Sequence, residues 1–368
     1  MTQRRTAALA LLLALPLSSG CAGLDLKRVN SAEAKPNNVW VFFNVKDGKE
    51  GVGNLKSDDF SIFEDDKAVS KFESKQEILN PEVAAVMYTM LLIDMSGSIS
   101  AAGKADQVVD AAKTFSDRVS KSQKVGVYVF DGSAKITSVT PFTESKGSVE
   151  GGIDGLKTWK AQDPSTNLHG AIVEGVRELK TQLDRDPKPL KFGTLVVFTD
   201  GTDQAARVKR DDMMKELRDD KYENYQFYTV GVGTEFDQGE LKDIGRDGSE
   251  FATDQTKIQA SFDKIATRIE DVTKSYYLLS YCTPSRAGEH DVRIKATVKK
   301  DKDEKSGSLE YHFKAEGFGP PPDCDPKRNP TFDLKPSDTD EHKGATGGAS
   351  AGGGASIDVK VKAGAEAK

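Results

Sequence analysis

Residues 91–100 read LLIDMSGSIS, and the fold turns on this stretch. The apolar run Tyr88–Ile93 stops at Asp94. A carboxylate and two hydroxyls, Asp94, Ser96 and Ser98, then occupy alternate positions around Gly97. A continuous apolar run of this length marks a strand buried on both faces, the habit of a parallel sheet. Working outward, Val108, Ala112, Phe115 and Val119 recur at helical spacing and predict a helix over about 104–121. Val125–Phe130 reads as the next strand and Ala134–Val139 as its antiparallel neighbour. Leu168, Ile172, Val176, Leu179 and Leu183 mark another helix, and Leu195–Phe198 another buried strand. Helix, strand and helix follow at Met213–Leu217, Gln226–Val232 and Leu241–Ile244, and Phe262, Ile265, Ile269 and Val272 stripe a last helix. Strands alternating with helices imply right-handed crossovers, so residues 86–275 form an α/β domain with a doubly wound, mostly parallel sheet.

Both flanks of that domain are β in character. VWVFFNV at Val39–Val45, FSIFED at Phe60–Asp65 and Val69–Phe72 fill residues 39–85, and YYLLSY, His290–Val298 and Leu309–Phe313 fill 276–317. Two or three strands alone are marginal, whereas six approach a small sandwich. We therefore read the flanks as halves of one split β domain into which the α/β domain is inserted, with two independent appendages as the alternative. Residues 21–38 are polar and unpatterned and read as a linker. Residues 318–368 are rich in Pro, Gly and Ala, too poor in large apolar side chains to bury a core, and read as a disordered tail.

The chain has 368 residues and a net charge of −6, which argues against a nucleic-acid partner, since phosphate neutralisation needs clustered Lys and Arg. Its first twenty residues are of another kind. Arg4 and Arg5 precede the apolar run Ala7–Leu17, too short to span a bilayer comfortably, and SSGC leads to Cys21. A cleaved secretion signal would look like this. The segment also resembles the lipobox of bacterial lipoproteins, although Leu17 lies one place further from the Cys than that family has it. The resemblance implies signal removal at 1–20, lipidation of Cys21 and a membrane anchor in the cell envelope; Ala22 after the Cys implies the outer membrane. With Cys21 lipidated, Cys282 and Cys324 remain as an even pair in an oxidising compartment, and a disulfide between them is expected.

In doubly wound sheets ligands sit beyond the carboxyl ends of the strands, where strand order reverses. Besides Asp94, Ser96 and Ser98, two more oxygen clusters fall at such places. Ser165-Thr166-Asn167 precedes the helix starting near Leu168, and Thr199-Asp200-Gly201 follows the strand Leu195–Phe198. Each alone is an ordinary cap or turn. Together, over Tyr88–Ser275, they resemble the von Willebrand factor A domain with its metal-ion-dependent adhesion site, with Asp94, Ser96, Ser98, Thr166 and Asp200 at the five ligand positions. Asp163-Pro164-Ser165 departs from the family, which often has Gly before the Thr. The resemblance implies a cation with one open position, taken by an Asp or Glu of a protein partner.

The donor set is coherent on its own terms. Two carboxylates and three hydroxyls suit a hard cation such as Mg²⁺, bound at ~2.0–2.1 Å, and would also accept Mn²⁺ or Ca²⁺. Gly97 is expected to let the loop turn tightly enough for both serine hydroxyls to face one point. His169 and Asp203 lie near these clusters in sequence, and His169, in the first turn of a helix, reads as a solvated residue. The sequence contains no H-E-x-x-H or Walker A motif, its G-x-S-x-G match at Gly348–Gly352 lies in the Gly/Ala-rich tail, and Gly231–Gly233 lacks a third glycine, so no catalytic residue is assigned. The reading is a non-enzymatic, envelope-anchored binding protein. The alternatives are a structural lipoprotein with a vestigial site or a metal-dependent hydrolase.

Overall fold

The computed structural model describes residues 23–100, 105–300, 303–319 and 324–332. The signal segment 1–20 and the lipidation site Cys21 lie outside them, as does everything after residue 332.

The run ending at Asp94 is the strand Ala85–Asp94, in the middle of a six-stranded sheet. In order, that sheet runs Gly248–Ala252, Tyr225–Val232, Leu190–Thr199, Ala85–Asp94, Lys124–Phe130 and Thr137–Thr143. All neighbours are parallel except the last pair. Successive side chains of a strand point to opposite faces. Leu91 and Ile93 therefore meet the helices Ala105–Val119 and Ile258–Lys274 through Val108, Phe115, Phe262 and Ile265. Met90 and Leu92 meet Leu168–Asp184 through Ile172, Val176 and Leu179. The chain leaves Ala85–Asp94 for Lys124–Phe130 on one side and later returns to Leu190–Thr199 on the other. Strand order thus reverses beside Asp94.

Two smaller sheets form a sandwich from the flanks. The first runs Asp25–Ala34, Asn38–Asp47, Tyr276–Cys282 and Glu77–Leu79, with Glu50–Gly51 added to Asn38–Asp47; the second runs Asp303–Lys314, Glu289–Lys300, Phe60–Glu64 and Lys67–Ala68. Chain from before the α/β domain pairs with chain from after it in both sheets, Val41 opposite Leu279 and Ile62 opposite Ile294. Asn38–Asp47 is buried on both faces. Val39, Val41, Phe43 and Val45 enter the sandwich core, whereas Trp40 and Phe42 pack with Ala85, Leu190 and Phe192 at the base of the central sheet. The sandwich also grips the last helix, where a Cβ on Gly51 would overlap the Asp271 carbonyl.

Several expectations of the fold need correction, among them Val69–Phe72, where the strand is Lys67–Ala68. Residues 21–38 are not a linker throughout, because Asp25–Ala34 is an edge strand antiparallel to Asn38–Asp47, with Leu24, Leu26 and Ala32 turned inward. A register shift between Arg28 and Asn30 breaks the alternation that would have shown it. The outer strand of the central sheet is Thr137–Thr143 rather than Ala134–Val139. Residues 324–332 at the start of the presumed tail are part of the folded body. Cys324 is joined to Cys282, Asn38 Nδ2 donates to the Asp325 carbonyl at 2.6 Å, and Phe332 is buried with Trp40 and Phe42.

Candidate metal centre

The loop after Ala85–Asp94 builds the site in steps. Asp94 is fully buried; its Oδ1 accepts the Ser96 amide at 2.9 Å and its Oδ2 accepts the Thr199 hydroxyl at 2.7 Å. Ser96 Oγ and Ser98 Oγ lie 3.3 Å apart, and Ser98 Oγ donates to Asp200 Oδ1 at 2.7 Å. A chain of hydrogen bonds, with the Ser96 amide as its one nitrogen, therefore runs from Thr199 through Asp94, Ser96 and Ser98 to Asp200, across the gap where strand order reverses. Thr166 reaches it by backbone contacts. The Pro164 carbonyl accepts the Gly97 amide at 2.9 Å, and the Thr166 carbonyl accepts the amides of Gln204 and Ala205 at 2.8 and 2.9 Å. Thr166 is buried, with Oγ1 3.8 Å from where a Cβ on Gly201 would stand.

The glycine between the serines has a different reason from the one expected. Gly97 opens the short helix Gly97–Ser100 and is not in the left-handed region. A Cβ there would lie 3.0 Å from Pro164 Cβ and 3.1 Å from its carbonyl oxygen. Close approach of the Thr166 loop leaves a side chain little room.

Electrostatics favour a cation in this cup. Burial pushes the Asp94 carboxyl up to about 6, with the Asp200 charge adding to the rise, although bonds from Ser96 and Thr199 oppose it. A cation would relieve that penalty. Among the described residues no group of three or more His, Cys, Asp or Glu side chains is placed to hold a metal, so a cation here must rely on hydroxyls. Two carboxylates and three hydroxyls, with no nitrogen or sulfur, fit a hard divalent ion.

Residues 90–268 match the family described as von Willebrand factor type A domain. This segment, just under half of the chain, is similar to a von Willebrand factor type A domain. No curated protein matches the chain. Among solved structures, a von Willebrand factor type A protein from Catenulispora acidiphila is 12% identical, with TM-score 0.43, over 79% of this chain and 73% of that one. Proximal thread matrix protein 1 from the mussel byssus, with zinc in its MIDAS motif, is 20% identical, with TM-score 0.38, over 55% and 49%. Manganese-loaded TRAP protein of Plasmodium vivax is 14% identical, with TM-score 0.41, over 67% and 98%.

Two further residues of the domain's rim support the site, Thr199, expected only as part of the Thr199-Asp200-Gly201 cluster, and Asp131, which the sequence did not single out. Thr199 holds Asp94, as above. Asp131, directly after the strand Lys124–Phe130, accepts the Ser133 amide at Oδ1 and the Gln162 and Asp163 amides at Oδ2. Burial acts to raise its carboxyl, but these bonds outweigh it and hold the group below the usual carboxylate range.

His169 is not solvated. It is 8% exposed, enclosed by the 203–208 loop and the helix Gln238–Ile244. Nδ1 lies 3.0 Å from the Val208 carbonyl and Nε2 2.8 Å from Glu240 Oε1, with Asp203 Oδ2 3.5 Å from Nδ1. Both ring nitrogens face acceptors, which only the imidazolium satisfies. Burial lowers the pKa of His169, but the Glu240 hydrogen bond, the Asp203 charge and the Val208 carbonyl together raise it above its ordinary value. A raised folded-state pKa contributes stability that is fully present below the unfolded value, ~6.5, and is lost as pH rises through the folded value. The stability gap between wild type and His169→Gln should therefore narrow above neutral pH. Urea unfolding of both proteins from pH 5 to 9 checks this; a gap constant across the range would show the ring to be neutral when folded.

Proposed function

We propose that the domain holds a divalent cation between Asp94, Ser96, Ser98, Thr166 and Asp200, and through it captures an Asp or Glu carboxylate of a protein partner in the cell envelope. The observation that carries this reading is the chain of hydrogen bonds linking Asp94 to Asp200 across the switch in strand order. Ser96, Ser98 and Thr166 suit direct contact with the ion, because Asp94 already spends both oxygens on Ser96 and Thr199. Hydroxyls donate little charge, so a cation held mainly by them remains electrophilic towards an outside carboxylate. Mg²⁺ is the expected occupant, with Mn²⁺ or Ca²⁺ compatible with the same oxygens. The role is binding rather than catalysis.

Anchorage belongs to the same proposal. The Leu24 amide donates to the Ser306 carbonyl at 3.1 Å, so the sandwich takes hold of the chain three residues after Cys21. Three residues span at most about 11 Å, so a lipid on Cys21 would hold the sandwich close to the bilayer.

Thermal unfolding in Mg²⁺ and in EDTA tests the cation. Binding to the native state alone stabilises by ~2.7 kcal/mol at a hundredfold excess over Kd. Wild type should melt higher in Mg²⁺, and Asp94→Ala should melt alike in both. Equal melting of wild type in both would leave a vestigial cup. The partner is sought by pull-down from envelope extracts, with and without chelator, beside Ser96→Ala/Ser98→Ala; proteins lost in both controls meet the description.

A further inference from the structure

Thr166 is the ligand candidate that no side-chain relay fixes, so something else must hold it opposite the serines. The segment carrying it is pinned on both sides by one residue. Before Thr166, the Gln162 and Asp163 amides donate to Asp131 Oδ2 at 2.7 and 3.3 Å; after it, the Asn167 amide donates to the Asp131 carbonyl at 3.1 Å. Gly132 N donates to the Asp163 carbonyl at 3.1 Å, and Asn167 Nδ2 to the Ser133 carbonyl at 2.8 Å. The neighbouring Phe130 carbonyl accepts the Met95 amide at 2.8 Å, which ties the same strand end to the loop of Ser96 and Ser98. Asp131 is 5% exposed, and its two carboxylate oxygens and its carbonyl oxygen all face backbone amides of these loops.

We propose that Asp131 is a positioning residue for the cation site: it brackets Thr166 and fixes it against the Asp94–Ser98 loop without touching the ion. The inference rests on the cation reading above. Partners of this kind behind a metal ligand typically alter affinity by about 10–100-fold.

The test is Mn²⁺ binding, followed by the loss of free-ion paramagnetic resonance, in wild type, Asp131→Asn, Asp247→Asn and Asp94→Ala. Asp247 is the control because it also pins backbone, accepting the Phe227 amide at 2.9 Å near the start of Tyr225–Val232, away from the strand ends that carry the cup. Asp131→Asn should weaken Mn²⁺ by about tenfold or more, because the NH2 that replaces one carboxylate oxygen cannot accept a backbone amide, while Asp247→Asn should bind as wild type does. Wild-type affinity in Asp131→Asn, or an equal loss in Asp247→Asn, overturns the proposal. No Mn²⁺ binding by wild type that Asp94→Ala removes overturns the cation reading and this inference together. Should Asp131→Asn not fold, amide exchange of the unaltered protein decides. Mg²⁺ should slow exchange at Ser133, Gln162 and Asp163, and unchanged exchange there overturns the proposal.

Discussion

Serine in place of Cys324 is expected to destabilise the protein by about 4 kcal/mol. Cys282 and Cys324 are 42 residues apart, and the loop-entropy treatment of a cross-link of that size gives ~4 kcal/mol at 25 °C. What the link holds makes the number meaningful. Residues 324–332 lie against the first sheet of the sandwich, with the Asp325 carbonyl accepting from Asn38, the Arg328 carbonyl accepting from Trp40 Nε1 at 3.0 Å, and Lys75 Nζ reaching the Cys324 carbonyl at 3.1 Å. Without the bridge these bonds must order the segment by themselves. Urea unfolding of Cys324→Ser and of wild type with and without reductant measures the loss. The variant and the reduced wild type should agree. A loss under about 1 kcal/mol would mean that Phe332 and the backbone bonds hold the segment unaided.

The middle of the fold was legible and its margins were not, for one physical reason. Leu91–Ile93 and Leu195–Phe198 are buried on both faces, so their burial is written into every residue. Thr137–Thr143 is largely exposed on its outer side, and Gly248–Ala252 is short and mixed, so neither carries a pattern. Asp25–Ala34 carries one only until its register shift. The oxygen donors stood out because each occupies a strand or helix end. Asp131 occupies one too, after Phe130, but it acts on backbone amides, which leave no trace in the sequence of their owners. His169 lies outside the apolar stripe of its own helix, and a loop some forty residues later buries it. No local pattern encodes such burial.

Trp40→Ala should cost about 3–5 kcal/mol, the range for removing a fully buried large aromatic side chain. The size follows from where the ring sits. Asn38–Asp47 turns Val41 and Phe43 into the sandwich and Trp40 and Phe42 the other way, on to Phe192 and Leu190 at the start of the strand that ends beside Asp200. Phe42 and Phe192 stack at 5.8 Å between centroids, and Tyr276, which opens the strand just after the last helix of the domain, lies 4.6 Å from Phe192. This core therefore joins the sandwich to the sheet that carries the cup. Truncation opens a cavity there and leaves the Arg328 carbonyl without its Nε1 donor. The chain has two tryptophans, so in the variant Trp159 alone reports, and it packs against the α/β core. Urea unfolding followed by Trp159 fluorescence and by far-ultraviolet dichroism measures the effect. Both signals should move to lower urea together if the junction is shared. A shift in dichroism with Trp159 unmoved would mean that the sandwich and the α/β domain unfold independently; Phe72→Ala, at a 93% exposed site, should move neither by more than about 0.5 kcal/mol.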